Sequence, residues 1–118
     1  MSVLSIILQI ILGLGFLMFG FMKFGSQQMV EGFKHYGYPA WFRVVTGIVE
    51  IIAALLVIAG IWNVTLAALG GLVIMATMIG AIFTHIKIKD TVKNMMMPIV
   101  LFIFGLVVLL INFGSLLG

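Results

Sequence analysis

Residues 3–22 read VLSIILQIILGLGFLMFGFM, twenty positions without a charge that end against Lys23. A bilayer core is about 30 Å thick and a helix rises about 1.5 Å per residue, so about 20 residues cross it. The stretch has no basic leader and no Ala-x-Ala cleavage site, and it is too long for the apolar core of a signal peptide. It is therefore expected to stay in the protein as a transmembrane helix. Three more apolar stretches follow, at about 42–62, 65–84 and 96–117. The 118 residues are 64% hydrophobic and 8% charged, against about 25% charged in soluble domains. So few polar groups cannot cover a water-facing surface, and the solvent must be lipid. The expected fold is an all-α membrane protein, a bundle of four transmembrane helices forming one domain over residues 1–118.

The connections give an orientation. The first carries Lys23, Lys34 and Arg43 against Glu31; the third carries Lys87, Lys89 and Lys93 against Asp90; the second, around Asn63, is short and uncharged. Two crossings separate the first and third connections, so all 6 Lys and Arg lie on one side. The positive-inside rule makes that side cytoplasmic and leaves both termini of this multi-pass protein outside. The first connection also has helical periodicity. Met29, Val30, Phe33 and Tyr36 share one face, and Gln27, Gln28, Glu31, Lys34 and His35 the other, with Ser26 placed to cap the start and Gly37 the end. A short interfacial helix between the first two spans is expected, with Tyr36, Tyr38, Trp41 and Phe42 as an aromatic belt. Pro39 falls outside the second span, and Pro98 is read into the first turn of the fourth, where a missing N–H does least harm.

Composition removes several chemistries. There is no cysteine, which excludes disulfide relays, thiolate metal sites and covalently attached haem of the c type. A net charge of +3 divided between two loops is a poor footprint for nucleic acid. The two histidines, His35 and His85, are not fixed at bundle-core depth, so no metal or haem site is expected; Met95, Met96 and Met97 read as flexible apolar filler. The halves share no motif, so an inverted-repeat transporter is not suggested.

Glu50 is the only carboxylate inside a span. A charge there costs about 2.5–3.5 kcal/mol on insertion scales, so it should face the bundle interior and serve a purpose. It lies seven residues past Arg43, hence about 10 Å deeper. Arg43, Gly47, Glu50, Ala54 and Val57 form one stripe, with Thr46 and Ala53 at its margin. Gln9, Gly13, Phe16, Gly20 and Lys23 form another, and Thr77, Ala81 and His85 a third beside Ala76, Gly80 and Thr84. Small residues on such stripes let helices approach closely. Lys23, Arg43 and His85 stand at the charged ends of their helices, around the mouth above Glu50. The constellation is either a pocket with an acid at its floor or an ion pair that pins the second span. Lys23 also stands where basic residues commonly snorkel outward. Gln9 and Asn112, several residues in from the opposite end, are placed to bond each other.

These residues carry a resemblance. Gly13-x-x-Phe16-x-x-x-Gly20-x-x-Lys23-Phe24, Gly47-x-x-Glu50-x-x-x-Ala54, Ala81-x-x-Thr84-His85 and Tyr36-Gly37-Tyr38-Pro39, in this order and spacing, resemble the DoxX-like family over nearly the whole chain. The resemblance implies a four-helix protein of bacterial inner membranes. It also implies a link with quinone or redox-stress processes, since the family takes its name from a subunit associated with thiosulfate:quinone oxidoreductase. Lys23, Glu50 and His85 stand in its motif positions. The quinone-linked thiol oxidoreductases of similar build need a Cys-x-x-Cys pair, which this chain lacks.

Three functions follow as expectations. In the first, an accessory or binding subunit holds a quinone, lipid or similar amphiphile, with Glu50, Lys23, His85, Arg43, Tyr36 and Trp41 as candidate contacts. In the second, a small exporter couples to protons through Glu50, although small multidrug exporters keep their acid in the first helix. In the third, the small-residue stripes pack against another membrane protein, or a second copy, as an assembly factor. No nucleophile–base pair or phosphate loop is present, so catalysis by the chain alone is not expected.

Overall fold

A computed structural model describes residues 2–116. It is all-helical: α1 (Val3–Met22), α2 (Gln27–Tyr36), α3 (Ala40–Ala59), α4 (Val64–Lys87) and α5 (Val92–Asn112), followed by a 3₁₀ turn at Phe113–Leu116. The four long helices are long and apolar enough to cross a membrane, and α2 is the short helix between the first two. Large apolar side chains such as Leu14, Phe21, Leu55, Phe83 and Leu110 point outward, as an integral membrane protein requires.

The helix bounds follow from caps that hydropathy alone does not locate. Ser26 accepts from the Met29 N–H and Gly37, at φ 84°, closes α2. The second span begins at Ala40 rather than 42, directly after Pro39, and ends at Ala59 rather than 62 because Asn63 must be free to cap α4 through the Thr65 and Leu66 N–H groups. The third span runs one turn past 84, to Lys87. The fourth starts at Val92, where Thr91 caps the Asn94 N–H, and gives way to the 3₁₀ turn after Asn112; its expected end at Leu117 lies outside the described residues. Pro98 is therefore interior to α5, not in its first turn. Its missing N–H releases the carbonyl of Asn94.

Neighbouring helices in the bundle are α1 and α3, α3 and α4, α4 and α5, with α5 closing onto α1. Two crossings depend on paired glycines. A Cβ on Gly20 would lie 2.8 Å from the Gly47 carbonyl oxygen, and one on Gly47 2.8 Å from that of Gly20. Gly71 and Gly105 meet in the same way between α4 and α5. In lipid, where apolar surface gains nothing by leaving the solvent, such close backbone approach is the source of packing energy. Leu12, Phe16, Ala53, Ala54, Val57, Ile74 and Val108 fill the centre.

At the lysine-free end, Ser5, Gln9 and Asn112 are buried. Ser5 Oγ donates to Gln9 Oε1 (2.6 Å), Gln9 Nε2 donates to the Val57 carbonyl (2.8 Å), and Asn112 Nδ2 donates to Ser5 Oγ (3.0 Å). Gln9 and Asn112 are thus joined through Ser5. Gln9 also completes the end of α3: the carbonyls of Leu56, Ile58 and Ala59 accept from Gly60, Ile61 and Trp62, and that of Val57 accepts from Gln9.

Candidate functional site

The axial offset of α1 creates the site. A Cβ on Gly47 would lie 3.1 Å from Lys23 Cβ. The C-terminus of α1 is therefore level with a point seven residues into α3, about 10 Å from its start. Arg43, one turn nearer that start, donates to the Lys23 carbonyl, one of the free acceptors at the end of α1. The α2 helix lies across the space that α1 leaves. Phe33 anchors it, packing on Tyr36, Tyr38 and Phe42 with ring centroids 5.5–6.5 Å apart, while its polar face stays exposed.

Lys23 does not snorkel outward. Its side chain turns into the bundle, passes the Phe19 ring and places Nζ 2.7 Å from Glu50 Oε1; the two side chains are 12% and 3% exposed. At this distance the ammonium donates a charge-assisted bond to one carboxylate oxygen. Among the described residues no other donor reaches the carboxylate. Charge is therefore matched while hydrogen-bond capacity is left over.

This pair floors a cavity of about 830 Å³ that is open on one side. All five helices contribute to its wall: Lys23 from α1, Tyr36 from α2, Glu50 from α3, Thr77 and His85 from α4, and Pro98 from α5. Glu50 and Thr77 are each ten residues from the lysine-bearing end of their helices, about 15 Å deep. Thr46, Thr77 and Thr84 line the cavity, and the hydroxyl of each donates to the carbonyl four residues back, Phe42, Val73 and Gly80, at 2.8–2.9 Å. With their protons so used, these hydroxyls can only accept further bonds, as Thr84 does from Tyr38.

The mouth is a second polar group. Lys89 takes a left-handed φ of 57°, which turns the chain so that Asp90 N–H donates to the His85 carbonyl at 2.9 Å. Asp90 Oδ2 then lies 2.8 Å from His85 Nδ1, and its Oδ1 accepts from Thr91 N–H and Asn94 Nδ2. The Asn94 amide, His85 and Thr91 N–H together hold the Asp90 carboxyl below its ordinary 3.8. Tyr36 stands edge-on to His85 with centroids 6.3 Å apart. Burial, and then the Asp90 charge, push its phenol above its ordinary 10.0. Lys87 sits 4.5 Å over the Tyr38 ring and donates to the Tyr36 carbonyl at 3.3 Å. Tyr38 OH meets Thr84 Oγ1 at 2.9 Å.

Of the residues selected from sequence, the structure brings Glu50, Lys23, His85 and Tyr36 to one cavity. It places Arg43 beside it, where Arg43 ends α1 and lines a pocket of about 70 Å³ between α2 and α3. Trp41 is 67% exposed and edge-on to Phe42. His85 is paired with Asp90, which in the sequence alone is only a loop charge; the available signal is an acid five residues beyond a histidine at a helix end. From the sequence, Thr46 and Thr77 are visible only as small residues on stripes, and Thr84 also as part of Ala81-x-x-Thr84-His85. Met97 lines the cavity, and no cluster of metal-ligating side chains occurs among the described residues.

The sequence profile of the DoxX-like family matches residues 7–108, a range that contains every cavity residue named above. The chain is 41% identical over 83 residues to the uncharacterized protein YdgD of Bacillus subtilis (strain 168), covering 70% of this chain and 73% of that protein. No solved structure matches it. The profile match extends over most of the chain and takes in the motifs around Lys23, Glu50 and His85, and on that ground the protein belongs to the DoxX-like family.

Proposed function

We propose that the protein is a membrane-embedded binding subunit that holds an amphiphile, a quinone or a lipid of similar size. The polar head would meet the Lys23–Glu50 pair and the apolar part would lie along the cavity walls. One observation carries this reading: an ion pair with 12% and 3% side-chain exposure forms the floor of an open cavity of about 830 Å³. Small-molecule sites of about 300–1,000 Å³ are typically apolar with a few convergent polar groups. A pair needed only to pin two helices has no use for space beside it. The link to quinone processes that the family resemblance implies is in keeping with an accessory role beside a quinone-linked oxidoreductase. Proton-coupled export through Glu50 draws less support, because the carboxylate already has a cation partner.

In this reading the lysine-bearing end faces the cytoplasm, since all 6 Lys and Arg lie there. An impermeant thiol reagent should label a cysteine placed at Ser2, and not one placed at Lys89, on intact cells. For the ligand, the protein is extracted in a mild detergent and examined by native mass spectrometry. The wild type should carry a small amphiphile and Glu50→Gln should carry less. A wild type that carries none, and whose melting is unmoved by added quinones and lipids, would overturn the proposal.

A further inference from the structure

Resting on the binding reading above, we infer that the ligand's head is a neutral hydroxyl, an alcohol or phenol that donates a hydrogen bond to Glu50. Where the ligand belongs to a redox pair, the bound form is the hydroxylated one, a quinol rather than a quinone. The inference comes from which polar groups in the deep half of the cavity are already committed. The Thr46 and Thr77 hydroxyl protons are spent on the Phe42 and Val73 carbonyls, so both side chains can only accept. Glu50, 2% exposed, has Lys23 as its single close donor among the described residues, whereas a carboxylate offers about four acceptor sites. The carboxylate and the two hydroxyls form a floor rich in acceptors, and a buried acceptor without a donor is costly.

Lys23 is the deep donor, and it decides the charge of the head. Its ammonium has three protons and one acid partner, so it can also donate to a ligand oxygen. A hydroxyl can accept from Lys23 while giving its own proton to Glu50. A ketone or ether can accept from Lys23 but leaves the carboxylate unfilled. A cationic head would be placed against the Lys23 ammonium, and a phosphate or carboxylate head against Glu50; the pair is balanced, 2.7 Å apart, and has no charge to spare for either. Of the other polar groups in the lining, His85 and Asn94 are held by Asp90, and Tyr38 and Thr84 are bonded to each other.

Matched probes test this on the full chain in detergent or nanodiscs: a para-dodecylphenol against its methyl ether, and a long-chain alcohol against its methyl ether, each titrated by native mass spectrometry. The wild type should bind the phenol at least about tenfold more tightly than its ether, the effect of one hydrogen bond to a buried charge. The ratio should fall toward one in the double variant Glu50→Leu/Lys23→Met, which removes both charges together. Should that variant not fold, Glu50→Gln carries the same test, because its weaker amide acceptor should reduce the ratio. A preference shown by the phenol pair alone assigns an aromatic head, and one shown by both pairs any hydroxyl; either supports the inference. Equal binding of phenol and ether to the wild type overturns the inference and leaves the binding proposal intact. Binding of neither overturns both. A phenol preference that survives unchanged in the variants places the recognition elsewhere and overturns the inference.

Discussion

At the lysine-free end of the bundle, Ser5, Gln9 and Asn112 are buried and joined by hydrogen bonds that also complete the end of α3. At the other end, Lys23 and Glu50 are buried as a charge pair beside open space, with acceptor capacity unfilled. Both sets of residues are costly in lipid, and burial alone does not distinguish them. The difference lies in what remains after the internal partners are counted. A network with its donors and acceptors matched joins helices and asks nothing of a ligand. A charge pair with spare capacity at the floor of a cavity is organised for something that enters.

The largest effect is expected at the charged end. Glu50→Leu alone would leave the Lys23 ammonium, on a side chain only 12% exposed, uncompensated, and should cost about 3–5 kcal/mol. The melting temperature in detergent should fall accordingly, and adding Lys23→Met should recover most of the loss. If the single variant melts as the wild type does, Lys23 finds water or another partner readily and the charged end is not energetically closed. If the double variant is stable yet no longer retains the amphiphile, the pair serves the ligand rather than the fold.

A smaller effect is expected at the lysine-free end. Gln9→Leu removes the donor to the Val57 carbonyl and the acceptor for Ser5, and should cost about 1–2 kcal/mol, the range for interhelical hydrogen bonds in membranes. Ligand retention should be unchanged, because the residue lies outside the cavity wall. Loss of ligand with unchanged melting would abolish the distinction between the two ends.

The smallest effect concerns the mouth. Asp90 has its carboxyl below 3.8 through Asn94, His85 and Thr91. A depressed carboxylate contributes stability that is present above the unfolded value and is lost as pH falls through the folded one. Melting should therefore be insensitive to Asp90 from neutral pH down to about pH 4 and weaken slightly below it, with the dependence reduced in Asp90→Asn. Because this carboxylate is at the surface, salt and water screen the effect. An equal acid sensitivity in Asp90→Asn would show that the turn is held by the backbone at Lys89 alone.

The features legible in the sequence are those that local pattern encodes. Twenty uncharged residues ending at Lys23 establish a crossing because bilayer thickness and helical rise are constants. The face of α2 that carries Phe33 is readable from a 3.6-residue period, and its ends from Ser26 and Gly37. Glu50 stands out because a carboxylate is expensive at that depth wherever its partners lie. The ends of α3 and α5 were displaced by several residues because caps at Asn63 and Thr91, not hydropathy, set them.

What only the tertiary structure decided is axial register and the direction of long side chains. The paired glycines Gly20 and Gly47 lock α1 against α3 at one height, and that height makes α1 end about 10 Å short of the start of α3. Lys23 is thereby brought within reach of Glu50, Arg43 reaches the Lys23 carbonyl, and a cavity is left under α2. Periodicity gives the face of a helix but not its offset from a neighbour, and a lysine at a helix end can reach outward or inward at similar cost until that offset is fixed. His85 found Asp90 for a related reason. The left-handed turn at Lys89 is a backbone conformation that a lysine seldom adopts, so nothing in the residue types announced it, and the packing of α5 against α4 holds the chain in the path that requires it.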